Sequence, residues 1–286
     1  MMIGISNLPA TYDGALIASL DTEGNVTAEF ALDEQGVMDM LSLSDGTLLV
    51  CGCDAALGDD WHYGNIYLRT PEGVWTKKRT LENVIHVWGA CESGGKIYAA
   101  TGAHIGDNTT WEARVYVSDD QGDTWTHHYV CYYRVYDVFA LGGVLYATAW
   151  DYPAYRLYSS VDDGVSWGIV ADIVPEPRIR MVELDGHVVG AVSGGAYIWA
   201  MAGNDVITIA LPGWAGTIQQ YNMHSLAVSG GVLYALTGSK ILKLESLSGD
   251  WTYHCDLGEA AVSIAVFDGV GLIVGTANGR LLRVSF

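Results

Sequence analysis

The sequence predicts an all-β protein that forms a single β-propeller over residues 1–286, because short apolar strands recur at the interval of propeller blades. Six of these strands begin at a glycine, and their starts lie 49, 48, 43, 45 and 38 residues apart. The six glycines are Gly46, Gly95, Gly143, Gly186, Gly231 and Gly269. No window of about 12 residues has helical amphipathicity, so we expect no long helices. The repeat leaves no linker, which favours one domain.

A turn motif is the second repeat, and it occurs twice in the form S-x-D-x-G-x-[ST]-W, at residues 118–125 and 160–167. Each copy follows a tyrosine-containing apolar strand. We expect the serine and aspartate to hydrogen-bond backbone groups of a tight hairpin, the glycine to take a positive φ and the tryptophan to pack beneath the turn. The positions concerned are Ser118, Asp120, Gly122, Trp125, Ser160, Asp162, Gly164 and Trp167.

This motif resembles the Asp box of sialidases and other propellers with bacterial neuraminidase repeats. Degenerate copies lie at 70–75 and 246–251. The tryptophans that end the four copies are 50, 42 and 84 residues apart, and the last gap is twice 42, so one repeat has lost its tryptophan near 203–206. The resemblance implies a propeller scaffold whose Asp boxes lie on the face opposite the ligand face.

The two ends of the chain bear on blade number. Each unit is interpreted as four strands, A to D. In the second unit, which contains Gly95, these strands are roughly 84–92, 96–101, 112–118 and 124–132. The C-terminal segment supplies three strands of a last blade, at 261–267, 270–276 and 280–286. Residues 15–20 and 26–32 align with a C–D hairpin, so we expect the N-terminal strands to complete the last blade and close the ring. Six blades are favoured, with seven as the alternative.

Composition limits the classes of partner and location. The formal net charge is −19 and no basic run exists, which disfavours nucleic acid and anionic membranes as partners. Residues 1–14 lack the features of a signal peptide, and no stretch reaches the ~20 apolar residues of a membrane span. We therefore expect a cytoplasmic protein, or a virion protein if the gene belongs to a phage. The five cysteines lack zinc-site spacing and are expected to be reduced, and no cofactor or metal is expected.

Candidate ligand-binding residues lie in the B–C and D–A connections, which form the ligand face in propellers of this resemblance. The first three B–C loops are long and rich in aromatic and acidic side chains. Aromatic rings stack on the apolar faces of sugars and also form protein-interface hot spots, whereas the alternative is that these rings only brace long loops. The candidates are Asp59, Asp60, Trp61, His62, Tyr63, His104, Asp107, Trp111, Tyr132, Tyr133, Arg134, Trp150, Asp151, Tyr152, Arg178 and Trp214.

The favoured function is a non-catalytic binding or assembly module for a glycan or a protein, such as a receptor-binding or structural protein of a phage or virion. The alternative is a glycoside hydrolase of the sialidase type. Its catalytic candidates would be Arg134, Arg178, Arg180, Tyr133 and Asp137. The early Arg-Ile-Pro motif of sialidases is absent, since the first arginine is Arg69. A third hypothesis is a scaffold that binds only proteins within a larger assembly. Asp137 and Arg180 could also form a purely structural ion pair between blades.

Overall fold

The computed structural model describes residues 1–5, 14–55, 63–82, 84–105, 110–173, 176–177, 179–203, 205–218 and 223–286. Within these ranges the side chains of 35, 53–55, 63–65, 85, 103–105 and 110–111 are left undescribed. Every helix or strand in the described ranges is a β-strand, as the sequence predicts. A helix of the length and apolar character needed to cross a membrane does not occur in them.

In the described ranges, twenty-six strands form seven consecutive meanders, which we number as sheets 1 to 7 in chain order. Sheet 1 contains β1 (Met2–Ile5), β2 (Leu16–Leu20) and β3 (Val26–Ala31). Sheet 2 contains β4 (Glu34–Ser42), β5 (Leu48–Ala55), β6 (Tyr63–Arg69) and β7 (Trp75–Glu82). Sheet 3 contains β8 (Val84–Ser93), β9 (Lys96–Ile105), β10 (Thr110–Ser118) and β11 (Thr126–Cys131). Sheet 4 contains β12 (Arg134–Leu141), β13 (Val144–Asp151), β14 (Ala154–Ser160) and β15 (Gly168–Asp172).

The remaining three sheets follow the same plan. Sheet 5 contains β16 (Val182–Leu184), β17 (His187–Ala191), β18 (Tyr197–Ala202) and β19 (Asp205–Ala210). Sheet 6 contains β20 (Leu226–Ser229), β21 (Val232–Thr237), β22 (Lys240–Leu244) and β23 (Thr252–Asp256). Sheet 7 contains β24 (Ala261–Phe267), β25 (Gly271–Thr276) and β26 (Leu281–Val284). A bridge between Cys53 and His86 joins sheets 2 and 3.

The favoured count of six blades is corrected to seven, the alternative that the sequence left open. Strands β1–β3 pair with one another and form a sheet of their own, so they do not complete the C-terminal sheet β24–β26. The glycine-initiated repeat marks only the second strand of sheets 2 to 7, where all six glycines have φ between 70° and 85°. Counting that repeat therefore omitted sheet 1, whose strands β2 and β3 resemble an outer hairpin.

The chain divides into two compact units. The first contains Met1–Pro153 and Tyr158–Gly168, and the second contains Ala154–Leu157 and Ile169–Phe286.

The apolar core of each unit lies between consecutive sheets. In the first unit, Leu49 of sheet 2 and Ala99 of sheet 3 belong to one buried cluster. In the second, Ile198 of sheet 5 and Leu233 of sheet 6 belong to another. Runs of buried residues in β21 show that both faces of an interior strand are covered, which explains why half of the residues are hydrophobic.

Candidate functional site

The turn at 160–167 has the geometry that the sequence predicts. The Ser160 hydroxyl donates to Asp162 Oδ1 at 2.8 Å and accepts from the Gly164 amide at 2.9 Å. Asp162 also accepts from the Ser166 amide (2.9 Å) and hydroxyl (2.6 Å), and these bonds, with the hydroxyl first, lower the pKa of Asp162 to about 2. Gly164 has φ 82°, and the Trp167 indole donates to its carbonyl at 2.9 Å. The polar groups of this turn therefore bond mostly to one another.

The turn at 118–125 repeats this geometry and adds a link to the neighbouring sheet. The Ser118 hydroxyl accepts from the Gly122 amide at 2.7 Å and donates to Asp120 at 2.8 Å. Hydrogen bonds led by the Thr124 hydroxyl lower the pKa of Asp120 to about 2. The Trp125 indole donates to Thr80 Oγ1 of β7 at 2.9 Å, and the same hydroxyl donates to the Gly122 carbonyl at 2.5 Å. This turn fastens sheet 3 to sheet 2.

A different kind of site lies where two connections of the first unit meet. We define the aromatic cluster as Tyr132 and Tyr133, between β11 and β12, with Trp150 and Tyr152, at the end of β13. The Tyr133 and Trp150 ring centroids are 4.2 Å apart, Trp150 lies 6.1 Å from Tyr152, and Tyr132 lies 6.5 Å from Tyr133. The interplanar angles are 43–55°, so the rings form a stepped surface. Tyr152 and Tyr132 remain 62% and 47% exposed.

Asp151 fixes the two halves of the aromatic cluster to each other. Its Oδ1 accepts a hydrogen bond from the Tyr132 amide at 3.2 Å, and its Oδ2 accepts one from the Tyr158 hydroxyl at 3.0 Å. Because both oxygens bind protein groups, this carboxylate positions the rings in addition to any contact it makes with a ligand. Such fixed placement lowers the entropy cost of presenting exposed rings to a ligand.

Arg134 supports the aromatic cluster from behind. Its Cζ lies 5.3 Å from the Tyr133 ring centroid and 5.6 Å from that of Trp88, within cation–π range of both. Gly102 leaves room for it, because a Cβ there would lie 3.1 Å from Arg134 Cγ. Trp88 packs in turn against His86 at 4.8 Å and edge-on against Tyr136 at 5.7 Å. These contacts give the arginine a packing role that its sequence position did not indicate.

Tyr129 is a candidate contact residue that the sequence analysis missed. It is 57% exposed in β11, and burial of the rest of its ring raises its pKa, with the nearby Asp151 and Glu112 carboxylates adding to the rise. On the adjacent strand Arg114 donates to Glu112 Oε2 through Nε (2.9 Å) and Nη2 (2.7 Å). The first four residues of β11 are exposed or half-buried and only Val130 and Cys131 are buried, so no alternating pattern indicated Tyr129, and loop composition carries no signal for a strand residue.

The other candidates are placed as follows. Asp59, Asp60, Trp61, His62, Asp107 and Arg178 fall outside the described residues. Tyr63 is the first residue of β6, His104 is the second-last residue of β9 and Trp111 is the second residue of β10. His104 and Trp111 are paired in register, but the side chains of all three are not described. Trp214 is 50% exposed in the second unit, between β19 and β20. The structure therefore brings together the candidates from 132 to 134 and from 150 to 152.

Two of the proposed catalytic residues lie within or beside strands. Asp137 is 1% exposed in β12, opposite Thr148 of β13. The Arg180 amide donates to the Met223 carbonyl at 2.7 Å. In the portion of the chain with described side chains, no group of three histidine, cysteine or acidic residues is arranged to hold a metal ion.

Solved structures resemble this chain over nearly its whole length. A streptogramin B lyase has a TM-score of 0.65 at 14% identity, with 98% of this chain and 96% of that chain covered. The fold is a β-propeller of seven blades. A putative 6-phosphogluconolactonase from Bacteroides uniformis has a TM-score of 0.66 at 12% identity, covering 99% and 91%. A chain of a nidogen/laminin complex has a TM-score of 0.56 at 12% identity, covering 88% and 92%.

Comparisons at the level of sequence give no family. No protein-family model matches the chain, and no curated protein matches it either. At 12–14% identity the structural likeness establishes the fold alone.

Proposed function

We propose that this propeller is a non-catalytic binding module that recognises a glycan through the aromatic cluster. The observation that carries the proposal is the exposure of Tyr132 and Tyr152 on a preorganised base of Tyr133 and Trp150. Large apolar rings that remain in solvent while their backbone is fixed cost solubility and contribute nothing to the core, which points to a partner. Aromatic faces stack on the apolar faces of sugar rings, and the phenol groups can bond sugar hydroxyls.

A stepped surface fits a carbohydrate better than a flat protein contact. The rings meet at 43–55°, so each can face a different sugar residue of a chain, whereas a flat interface would need coplanar rings. A protein ligand remains the competing outcome, because tyrosine and tryptophan also dominate protein hot spots. The structural neighbours carry the names of two enzymes and of a protein complex, so the fold does not choose between these classes.

The hydrogen bonds made by the local carboxylates favour binding over glycoside hydrolysis. Hydrolysis needs two carboxyl groups about 5–10 Å apart, one of them able to hold a proton for the leaving group. Asp151 accepts hydrogen bonds through both oxygens, and Glu112 Oε2 accepts two hydrogen bonds from the Arg114 guanidinium, so both carboxylates are engaged by protein groups. Arg134 packs between two rings, a position that suits support of the surface.

The test is a glycan array probed with the native protein and three variants. We expect native binding to one class of glycan, and loss of about tenfold in affinity for Trp150→Ala and for Tyr152→Ala, because stacked rings contribute about 1 kcal/mol or more each. Phe286→Ala is the matched control, since Phe286 is a similarly exposed ring (54%) outside the aromatic cluster. Retention of binding by both cluster variants would reject the proposal.

A parallel assay separates binding from catalysis. The protein is incubated with a fluorogenic sialoside, and we expect no turnover above buffer. Turnover that disappears in Arg134→Ala would overturn the non-catalytic reading and favour the sialidase alternative.

A further inference from the structure

A cleft of about 410 Å³ lies in the second unit, beside the outer strands of sheets 5 and 6. One wall is formed by the end of β19 and the connection that follows it, and the other by the turn between β22 and β23. The lining residues are Ile209, Ala210, Pro212, Trp214, Gly249, Asp250 and Trp251. This volume is within the range of small-ligand pockets.

The exposed tryptophan of this cleft is held in place. Trp214 lies in a turn closed by the Ala215 amide, which donates to the Pro212 carbonyl at 2.8 Å, and Ala215 itself is buried. Lys240 Nζ donates to the Trp214 carbonyl at 2.9 Å and lies 5.9 Å from the indole centroid. The Tyr253 ring, 52% exposed, lies 6.1 Å away at an angle of 60°. Two tilted and half-exposed rings are thus fixed at the edge of the cleft.

The opposite wall comes from a shortened turn motif. Ser160 and Trp167 are seven positions apart in the full motif, whereas Ser246 and Trp251 are five apart. The short turn is closed by the Gly249 amide, which donates to the Ser246 carbonyl at 3.0 Å. Its Leu247 amide donates to Asp185 Oδ2 at 3.1 Å, which fixes the turn to sheet 5. The cleft lies beside this one degenerate copy.

The chemistry of the lining narrows the ligand class. Among the lining side chains only Asp250 accepts hydrogen bonds, and no hydrogen bond or ion pair engages its exposed carboxylate within the described chain. A sugar carries hydroxyls on most carbons and would leave several without a side-chain partner here. A polyproline II segment needs few hydrogen bonds from its receptor, because its backbone stays solvated, and aromatic-lined grooves are what such segments dock into.

The negative charge at the cleft indicates that the ligand also carries a cationic residue. Asp250 lies at the cleft of a chain with a net charge of −19, so a cationic residue next to the prolines would be attracted at long range and paired locally. We propose that this cleft binds a proline-rich, basic peptide segment of another protein, with prolines against Trp214, Trp251 and Tyr253 and an arginine or lysine at Asp250. This site is independent of the aromatic cluster of the first unit.

The experiment is fluorescence anisotropy with the full chain and a labelled peptide of Pro-Pro-Arg repeats. We expect saturable binding, about a tenfold loss of affinity for Trp214→Ala and about a threefold loss for Asp250→Asn. Phe286→Ala and Trp150→Ala are controls that should bind as the native protein does. The peptide with alanine at every proline has the same charge and should bind at least about tenfold more weakly, since it lacks the preformed helix.

Each contrary result is decisive. Equal affinity for the alanine peptide would mean that charge alone drives association and would overturn the proposal. Native affinity for the peptide in both Trp214→Ala and Asp250→Asn would show that the peptide does not bind in this cleft. Glycan-array binding that is lost only in Trp214→Ala would show that the cleft binds a sugar. Both side chains are exposed, so circular dichroism should be unchanged in either variant. Should Trp214→Ala unfold, Asp250→Asn and the alanine peptide decide alone.

Discussion

The turn motifs and the aromatic cluster are both rich in polar and aromatic side chains, but they use them in opposite ways. At 160–167 the Ser160 hydroxyl and the Asp162 carboxylate bond to groups of the same turn, and the Trp167 indole bonds to Gly164. At the aromatic cluster, Tyr132 and Tyr152 keep about half of their surface in solvent. A repeated segment that satisfies its own groups builds the scaffold, and a non-repeated connection that exposes fixed rings is where a partner can bind.

Removal of a tryptophan from a turn motif should cause the largest loss of stability. Trp125→Ala removes the ring that contacts Gly122 and the indole bond to Thr80, and we expect the free energy of unfolding to fall by about 3 kcal/mol. Denaturant unfolding measures this. Tyr152→Ala, a ring of the aromatic cluster that is 62% exposed, should change it by less than about 0.5 kcal/mol. Equal losses in the two variants would erase the distinction.

A smaller loss follows from deleting one buried hydroxyl. Ser160→Ala leaves the buried Gly164 amide without its acceptor, at a cost of about 1–2 kcal/mol in unfolding free energy. Ser248→Ala in the degenerate turn is the matched control, because the Ser248 hydroxyl is exposed and makes only a long hydrogen bond of 3.4 Å, to the Ser246 hydroxyl. Thermal unfolding of both variants tests this, and a control as unstable as Ser160→Ala would show that the full motif has no special role.

Acid stability provides a weaker test of the same turns. Hydrogen bonds lower the pKa of Asp120 and Asp162 from 3.8 to about 2, so their contribution to stability is complete above pH 4 and is lost as the pH falls toward 2. The double variant Asp120→Asn, Asp162→Asn should therefore show a flatter loss of stability between pH 4 and pH 2 than the native protein. The same dependence of stability on pH in the double variant and the native protein would mean that these carboxylates do not contribute to the acid sensitivity of folding.

The sequence predicted the parts of the molecule that repeat. The strand expected at 261–267 is β24, and the strand expected at 84–92 is β8 with one more residue. Gly122 and Gly164 have the positive φ that the motif requires. These successes share a cause: each feature depends on local backbone chemistry, which a short segment determines by itself.

What the sequence did not predict depends on contacts between distant segments. Sheet 1 was missed because β1 belongs to a sheet only through its pairing with β2. The segment between these two strands, residues 6–13, lies outside the described part of the chain. Arg134 was expected as a binding or catalytic candidate, but its position over the rings of Trp88 and Tyr133 could not be predicted, because Trp88 lies in a distant segment of the chain. Tyr129 lies in a strand, where residue type alone gives no indication of a site. The turn motif predicts a Sialidase-like Asp-box family, and that resemblance stays a prediction.

The most direct test measures both stability and glycan affinity for one variant of a turn motif and one variant of the aromatic cluster. Trp125→Ala and Tyr152→Ala are each assayed for unfolding free energy and, by calorimetric titration below the unfolding range, for affinity toward the strongest glycan of the array. We expect Trp125→Ala to lose stability and keep native affinity, and Tyr152→Ala to keep stability and lose about tenfold in affinity. Native affinity in Tyr152→Ala, with the fold intact, would contradict the claim that the exposed rings are the binding surface.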